Sequence, residues 1–468
     1  MFASIVNTFG NCFKIPELKS RIIFTLLVLA VCRLEAHIRV PGLDGAALKA
    51  FFDSMPSGNS GVLGMYSMFT GGALENCAIG ALGIMPYISA TIVLQLLTAV
   101  IPSLSKQARE EGGRVKIIKY SRYLTVLLCF GYGFFMAHGW EDPGSNPLLG
   151  GFQGRLVLYD NLWWYRFQTV LILTSGTLLL MWLGEQITER GIGNGVSLII
   201  TIGILARLPQ AAQALLDMFF PGGGAEAKFN FGHAIALVLL LCFVVAGVIA
   251  VTQAQRKIPV QYAQRAVGRK VYQGGTSFMP LRLNFSGVMP IIFAQAILMI
   301  PNKLLQLIGS AYHWRWAING ARLLNEGAWL YLTIYTLMIL FFSYFWTATQ
   351  FNELQISDDL KKNGGYVPGV RPGQATANFL HNAMSRITLA GAVFLAVIAV
   401  IPIILYRVMT VPYSVATFFG GTSMLITVGV LLDTMRQMET HLMMRHYDGF
   451  LRGGRGGRGS GPKMKGRL

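Results

Sequence analysis

The chain has 468 residues, 53% of them hydrophobic and only 13% charged, against about 25% charged in a soluble globular protein. Its mean hydropathy is +0.51, and 39 Lys and Arg face 21 Asp and Glu for a net charge of +18. Several water-soluble enzyme domains and a disordered chain are both excluded, which leaves a multi-pass membrane protein with basic loops.

Residues 1–20 form a polar segment with Lys14, Glu17 and Lys19. The first apolar segment, 21–39, is the weakest, because Arg33, Glu35 and His37 follow a short apolar run from Ile22 to Cys32. A cleaved signal peptide is the competing reading. The string from Leu29 to Cys32 hints at a lipoprotein cleavage box, but Val31 stands where a small residue is needed and the preceding polar stretch is long. Arg33 and Glu35 are expected to pair locally or to snorkel. Residues 61–74 follow, apolar, glycine-rich and too short to span, as suits a re-entrant or half-length helix. Nine further apolar segments lie at 77–101, 120–138, 166–186, 196–216, 233–253, 286–306, 328–349, 386–406 and 412–433. Their length and scarcity of charge predict transmembrane helices, ten in all.

Alternate connecting segments differ sharply in charge. Segments 1–20, 102–119, 184–195, 253–284, 351–386 and 434–468 hold 26 of the 39 Lys and Arg, and the intervening loops hold 10. The positive-inside rule puts the first set, and both termini, in the cytoplasm. The five cysteines, Cys12, Cys32, Cys77, Cys129 and Cys242, lack metal or disulfide spacing and read as small hydrophobes.

Two spans carry the same motif. Residues 83–88 read GIMPYI and residues 287–292 read GVMPII. Each lies in the second span of a five-span half. Five is odd, so equivalent helices run in opposite directions and imply an inverted repeat about an axis in the membrane plane. Ile84 and Ile88 are one helical turn apart and share a face, and Ile292 is the repeat equivalent of Ile88. Such a group could form an apolar constriction, though spacing alone fits packing or lipid-facing isoleucines better. The spans contain almost no ionisable groups. Arg407 and Asp433 stand at span ends, and His138 and His233 at boundaries. No HExxH, GxSxG or P-loop spacing is present. Enzymatic activity, a metal site and a cofactor are therefore not expected.

Two loops exceed what a hairpin needs. Residues 253–284 carry Arg256, Lys257, Arg265, Arg269, Lys270 and Arg282 without an acid, and residues 351–386 contain the turn-rich run GGYVPGVRPG around Arg371. Both suit attraction to anionic lipid or docking of a soluble partner. From about residue 450 the tail is Gly, Arg and Lys and is expected to be disordered.

These segments together resemble the SecY family of protein-conducting channels. The resemblance runs from about Ile15 to Leu451. It is carried by GGALENCAIGALGIMPYISATIVLQLL (71–97), GEQITERGIGNG (184–195), QAQRKIPVQYAQR (253–265), NGGYVPGVRPGQAT (363–376), GGTSMLITVGVLLDTMRQ (420–437) and LMMRHYDGF (442–450). It implies an all-α polytopic membrane protein of ten transmembrane helices, in two inverted five-helix halves (21–216 and 233–433) joined by an outer hinge loop (217–232). It implies a pore ring of Ile84, Ile88, Ile200, Ile292 and Ile426. A plug over 61–74, with Gly61, Leu63, Met65, Met68, Phe69, Gly71 and Gly72, would close the outer funnel. A lateral gate would open between helices two and three and helices seven and eight, with Ser89 and Gln95 on one edge and Gln295 and Ile300 on the other. Arg256, Lys257 and Arg371 would dock the SecA motor ATPase or the ribosome, the only nucleic-acid contact expected being ribosomal RNA. SecE and SecG would be small membrane partners, with signal peptides and translocating polypeptide as cargo, in the bacterial cytoplasmic membrane. Glu35 and His37 depart from the family pattern, as does the Gly/Arg tail. A secondary transporter would instead need polar or charged midplane ligands, and a scaffold without a pore would need no matched apolar residues on four helices.

Overall fold

The computed structural model describes residues 15–54, 67, 70–109, 112–141, 143, 152, 154–219, 231–262, 265–267, 270–272, 275–285, 287–312, 314–324, 328–409 and 422–452. In the first half, α1 covers Pro16–Glu35, α2 Gly45–Ser54, α3 Met85–Val100, α4 Pro102–Arg109, α5 Gly113–Glu141, α6 Leu162–Arg190, α7 Gly195–Leu205 and α8 Leu208–Phe219. In the second, α9 covers Phe231–Gln253, α10 Met289–Tyr312, α11 Arg315–Leu323, α12 Trp329–Gln350, α13 Glu353–Lys362, α14 Gln374–Met409 and α15 Thr422–Arg452. Each predicted apolar segment overlaps helix, with described non-helical residues at 36–39, 77–78, 83–84, 101, 206–207, 287–288 and 328. Among the described residues, six helical stretches are long and apolar enough to cross a membrane: Ile79–Thr98, Val115–Glu141, Leu162–Arg190, Gly195–Gln213, Trp329–Lys362 and Gln374–Ile401.

Three spans are interrupted or start late, each for a local reason. The second begins as a single 3-10 turn over Ile79–Leu82 and restarts as α3 at Met85, with Pro86 in its first turn. Proline suits that place because the first-turn N–H has no helical partner. Gly83 between them has φ +59, a left-handed conformation that glycine adopts without strain. The seventh span repeats this. Gly287 has φ +63, and α10 starts at Met289 with Pro290 next. The sequence repeat is thus a repeat of backbone geometry. The fifth span breaks between α7 and α8 at Ala206 and Arg207. Pro209 lacks an N–H, and in a continuous helix its ring would strike the carbonyl of Leu205.

The two long loops are not the irregular turns that their Pro and Gly content suggests. Strand β1 (Gln255–Tyr262) pairs antiparallel with β4 (Thr276–Arg282), in a register that sets Ile258 opposite Met279. Its other edge pairs with β5 (Gly365–Tyr366) of the second loop, Gln261 opposite Tyr366. A separate two-stranded sheet joins β2 (Arg265–Val267) to β3 (Lys270–Tyr272). The helical body expected from the sequence therefore carries small sheets that were not expected.

The largest core runs through α1, α3, α6, α7, α9, α10, α12, α14 and α15. A second packs the α2 region against α5 and α6 around Trp140 and Tyr165. Close approach of α6 and α7 depends on Gly195, where a Cβ would lie 1.9 Å from the Gly184 carbonyl oxygen. Gly195→Val is expected to cost about 1–3 kcal/mol, the usual range for overpacking, and to lower the thermal midpoint in detergent. Gly131→Ala, mid-helix and where a Cβ meets nothing within 4 Å, should leave the midpoint unlowered or raise it slightly, since Ala favours helix over Gly by about 0.5–1 kcal/mol.

Candidate functional site

Five isoleucines from four helices lie in one large buried hydrophobic cluster. Ile84 caps the start of α3, and the Ile88 amide donates to its carbonyl at 3.2 Å, so their side chains stack one turn apart. Ile200 comes from α7, Ile292 from the first turn of α10 and Ile426 from the first turns of α15. All are buried, none more than 4% exposed, and all belong to one continuous hydrophobic cluster. Nearby hydroxyls are spent on their own helices. Thr201 Oγ1 donates to the Ser197 carbonyl and Thr427 Oγ1 to the Ser423 carbonyl, each at 2.8 Å. The surface these side chains form is therefore apolar and non-directional.

The expected gate edges meet, since α3 and α10 pack against each other. Ser89 is half-buried and hydrogen-bonds the Tyr132 hydroxyl on α5. Gln95 is half-buried further along α3, and Gln295 is buried on α10. Of Ile300 only its helical backbone is described.

Of the expected plug, Gly61, Leu63, Met65, Met68 and Phe69 lie outside the described residues. Gly71 and Gly72 lie in a turn. This end of the segment is held by polar contacts that sequence reasoning did not foresee. Both terminal nitrogens of Arg33 donate to the Gly71 carbonyl at 3.1 Å. Arg207 Nη2 lies 2.5 Å from Glu75 Oε1 and also donates to Ser67 Oγ. Ser67 Oγ in turn donates to Glu75 Oε1 at 2.7 Å. The paired side chains of Arg207 and Glu75 are only 18% and 10% exposed. Removing one partner from such a buried pair typically costs about 3–5 kcal/mol.

The expected local pairing of Arg33 with Glu35 does not form. Arg33 turns to Gly71, and neither carboxylate oxygen of Glu35 has a hydrogen-bond partner among the described residues. Glu35 does not snorkel either, being 4% exposed. It points inward because Gly80 and Gly176 leave room, with a Cβ on Gly176 falling 2.8 Å from its Oε1. Beside it is a cavity of about 30 Å³ whose lining includes Arg33, Thr70, Gly83, Ile84 and Gly203, roomy enough for a water molecule. Among the described residues no cluster of His, Cys, Asp or Glu could hold a metal.

The two basic loops are one structural unit. Arg256 and Lys257 are exposed on β1, and Arg371 is exposed in the turn after β5. Ile258, Leu281, Val367, Leu380, Met384 and Ile387 form a core beneath them. The Arg371 turn is pinned by Thr376 Oγ1 donating to the Arg371 carbonyl at 2.9 Å and by Ser357 Oγ donating to the Gly373 carbonyl at 2.6 Å.

A helical body with six described stretches long and apolar enough to cross a membrane, carrying a small folded basic unit, defines a multi-pass membrane protein. The SecY family model matches residues 78–435. A protein translocase subunit SecY of Chlamydia trachomatis is 40% identical over 451 residues, covering 95% of this chain and 98% of that protein. One from Thermotoga maritima is 40% identical over 452 residues, covering 96% and 98%. A solved structure described as a protein-conducting channel superposes with a TM-score of 0.59 at 18% identity, covering 90% of this chain and 91% of that one. The chain belongs to the SecY family, a family of channel proteins and not of enzymes.

Leu380 is fully buried beneath the basic unit. Leu380→Ala is expected to cost about 2–5 kcal/mol locally, as cavity-forming core substitutions do. Limited proteolysis should then cut residues 353–373 faster, while the helical body stays protected.

Proposed function

We propose that the chain is the pore-forming subunit through which unfolded preproteins cross the cytoplasmic membrane, and that apolar segments leave it sideways into lipid between α3 and α10. The observation that carries this reading is the meeting of Ile84, Ile88, Ile200, Ile292 and Ile426 in one buried cluster. Branched aliphatic side chains hold no ion or water strongly, so a constriction made of them blocks ions by dewetting. Because they form no specific bonds, they yield to a polypeptide of any sequence. The halves 21–216 and 233–433 flank this point, hinged at 217–232. Residues 61–74 close the outer funnel as a plug, while Ser89, Gln95, Gln295 and Ile300 line the seam of the lateral gate.

The chain performs no covalent step, so energy comes from a partner or from the membrane potential. Exposed Arg256, Lys257 and Arg371 on one folded unit suit docking of the SecA motor or of the ribosome, with its RNA phosphates. The Lys and Arg asymmetry supports cytoplasmic termini in a bacterial inner membrane and contact with anionic lipid. SecE and SecG are the small membrane partners this reading calls for.

Replacing Ile88 and Ile292 with Asn is expected to raise the ion conductance of purified channels in planar bilayers, and unchanged conductance would argue against the ring. Arg371→Glu should slow motor-driven export into inverted vesicles severalfold while the chain still inserts normally; export at the original rate would remove the docking role.

A further inference from the structure

The connection between α10 and α12 carries a short helix whose faces differ in chemistry. In α11, Ala317 and Ala321 are buried one turn apart. Ile318 and Gly320 pack on α10, since a Cβ on Gly309 would fall 2.9 Å from Ile318 Cγ1 and one on Gly320 3.3 Å from Leu305 Cδ1. Arg315, Asn319 and Arg322 recur at helical spacing as an exposed polar stripe. Beside it, Trp316 and Leu323 form a second stripe, exposed although large and apolar. The Trp314 and Trp316 rings lie 5.9 Å apart, and exposed Trp329 and Leu330 open α12. At nine residues α11 is too short to span a bilayer. An exposed polar stripe alongside an exposed apolar one suits neither water nor hydrocarbon alone. It suits the boundary between lipid headgroups and acyl chains.

Charge narrows the occupant further. No Asp or Glu stands between Pro301 and Asn325. Neither Arg315 nor Arg322 forms an ion pair among the described residues. The first turn of α6 makes the contrast. Exposed Trp163 and Trp164 mark a span end there too, but Arg166 is held by Glu141 Oε2 at 2.7 Å. Two arginines on one exposed stripe next to tryptophans complement phosphate at the depth where aromatic side chains settle.

We infer that the exposed face of α11 and the first turn of α12 bind anionic phospholipid at the outer surface of the membrane. Arg315 and Arg322 take headgroup phosphates, and Trp314, Trp316 and Trp329 lie at the inner edge of the headgroup layer. That this surface is the outer one rests on the orientation proposed above. The surface is tied to one edge of the proposed gate. Asn302 Nδ2, on α10, donates to the Leu324 carbonyl at the end of α11 at 3.1 Å. Pro301 lies inside α10 just before it, and its missing N–H removes one bond of the helical ladder. Beyond Pro301 the end of α10 and α11 form one packed hairpin, so lipid that holds α11 also holds that arm of the gate helix.

The test uses the full channel complex in phosphatidylcholine vesicles that contain either brominated phosphatidylcholine or brominated phosphatidylglycerol at equal mole fraction. Tryptophan fluorescence is compared with that of the variant carrying Trp314→Phe and Trp316→Phe, so the difference reports these two rings. Lipid brominated near the headgroup should quench that difference more strongly than lipid brominated near the chain ends. Brominated phosphatidylglycerol should quench it about three times as strongly as brominated phosphatidylcholine. Arg315→Gln with Arg322→Gln should abolish the preference, and Arg315→Lys with Arg322→Lys should keep most of it. Rings quenched by aqueous acrylamide but by neither lipid place α11 in water, and rings shielded from all three place it under another protein subunit. Either result overturns the inference. Stronger quenching from the chain ends overturns the headgroup placement. No preference for phosphatidylglycerol, or one that survives loss of both arginines, overturns the phosphate contact. Quenching by brominated lipid confined to the leaflet beside the Arg371 unit overturns the outer placement and the proposed orientation together. None of these readouts needs a pore, so unchanged conductance on replacing Ile88 and Ile292 would remove the isoleucine ring and leave the lipid surface standing.

Discussion

A bilayer interior offers no water to hydrogen-bond, so every backbone group and every charge that enters it must be satisfied by the chain itself. That constraint governs where these helices are allowed to stop. The second span breaks at Gly83 and the fifth at Arg207, and both breaks lie beside the same polar pocket. Elsewhere hydroxyls inside the spans turn back onto their own helix, as Thr177 does onto the Leu173 carbonyl and Ser343 onto the Ile339 carbonyl.

Local sequence carried much of this. GIMP and GVMP announce a glycine turn followed by a proline-started helix, and both sites take that form, because glycine and proline act on their own backbone. Ile84 and Ile88 follow from that start by helical spacing. The pairing of Arg207 with Glu75 joins residues 132 apart in the chain, and no local pattern links them. They were legible as isolated charges in separate connecting segments, and only the packing of α7 against the turn before α3 reveals them as partners. The strands of the basic loops were missed for another reason. Ile258 and Val260 alternate with exposed residues at the period of a strand, but dense basic charge and flanking glycines made the segment read as loop.

Glu35 shows how composition misleads about a single site. A carboxylate near a span end ordinarily reaches back to water, and its neighbour Arg33 is an obvious partner. The α1 geometry turns both inward to different places, Arg33 to a backbone carbonyl and Glu35 to a pocket vacated by two glycines. The space that Gly80 and Gly176 leave is a property of two other helical segments, so it could not be inferred from α1 alone.

The sheet joining the two basic loops has a mechanical consequence. Strand β1 begins immediately after α9, and the Leu283 amide bonds to the Ala254 carbonyl at 2.9 Å, so the root of the hairpin is stapled where α9 ends. Six residues beyond Leu283, α10 starts at Met289. At its far end the hairpin is welded to β5, whose loop leads into α14. The turn that carries Arg371 is thus tied through backbone hydrogen bonds to the strand that continues α9, and not only to the helix that follows it.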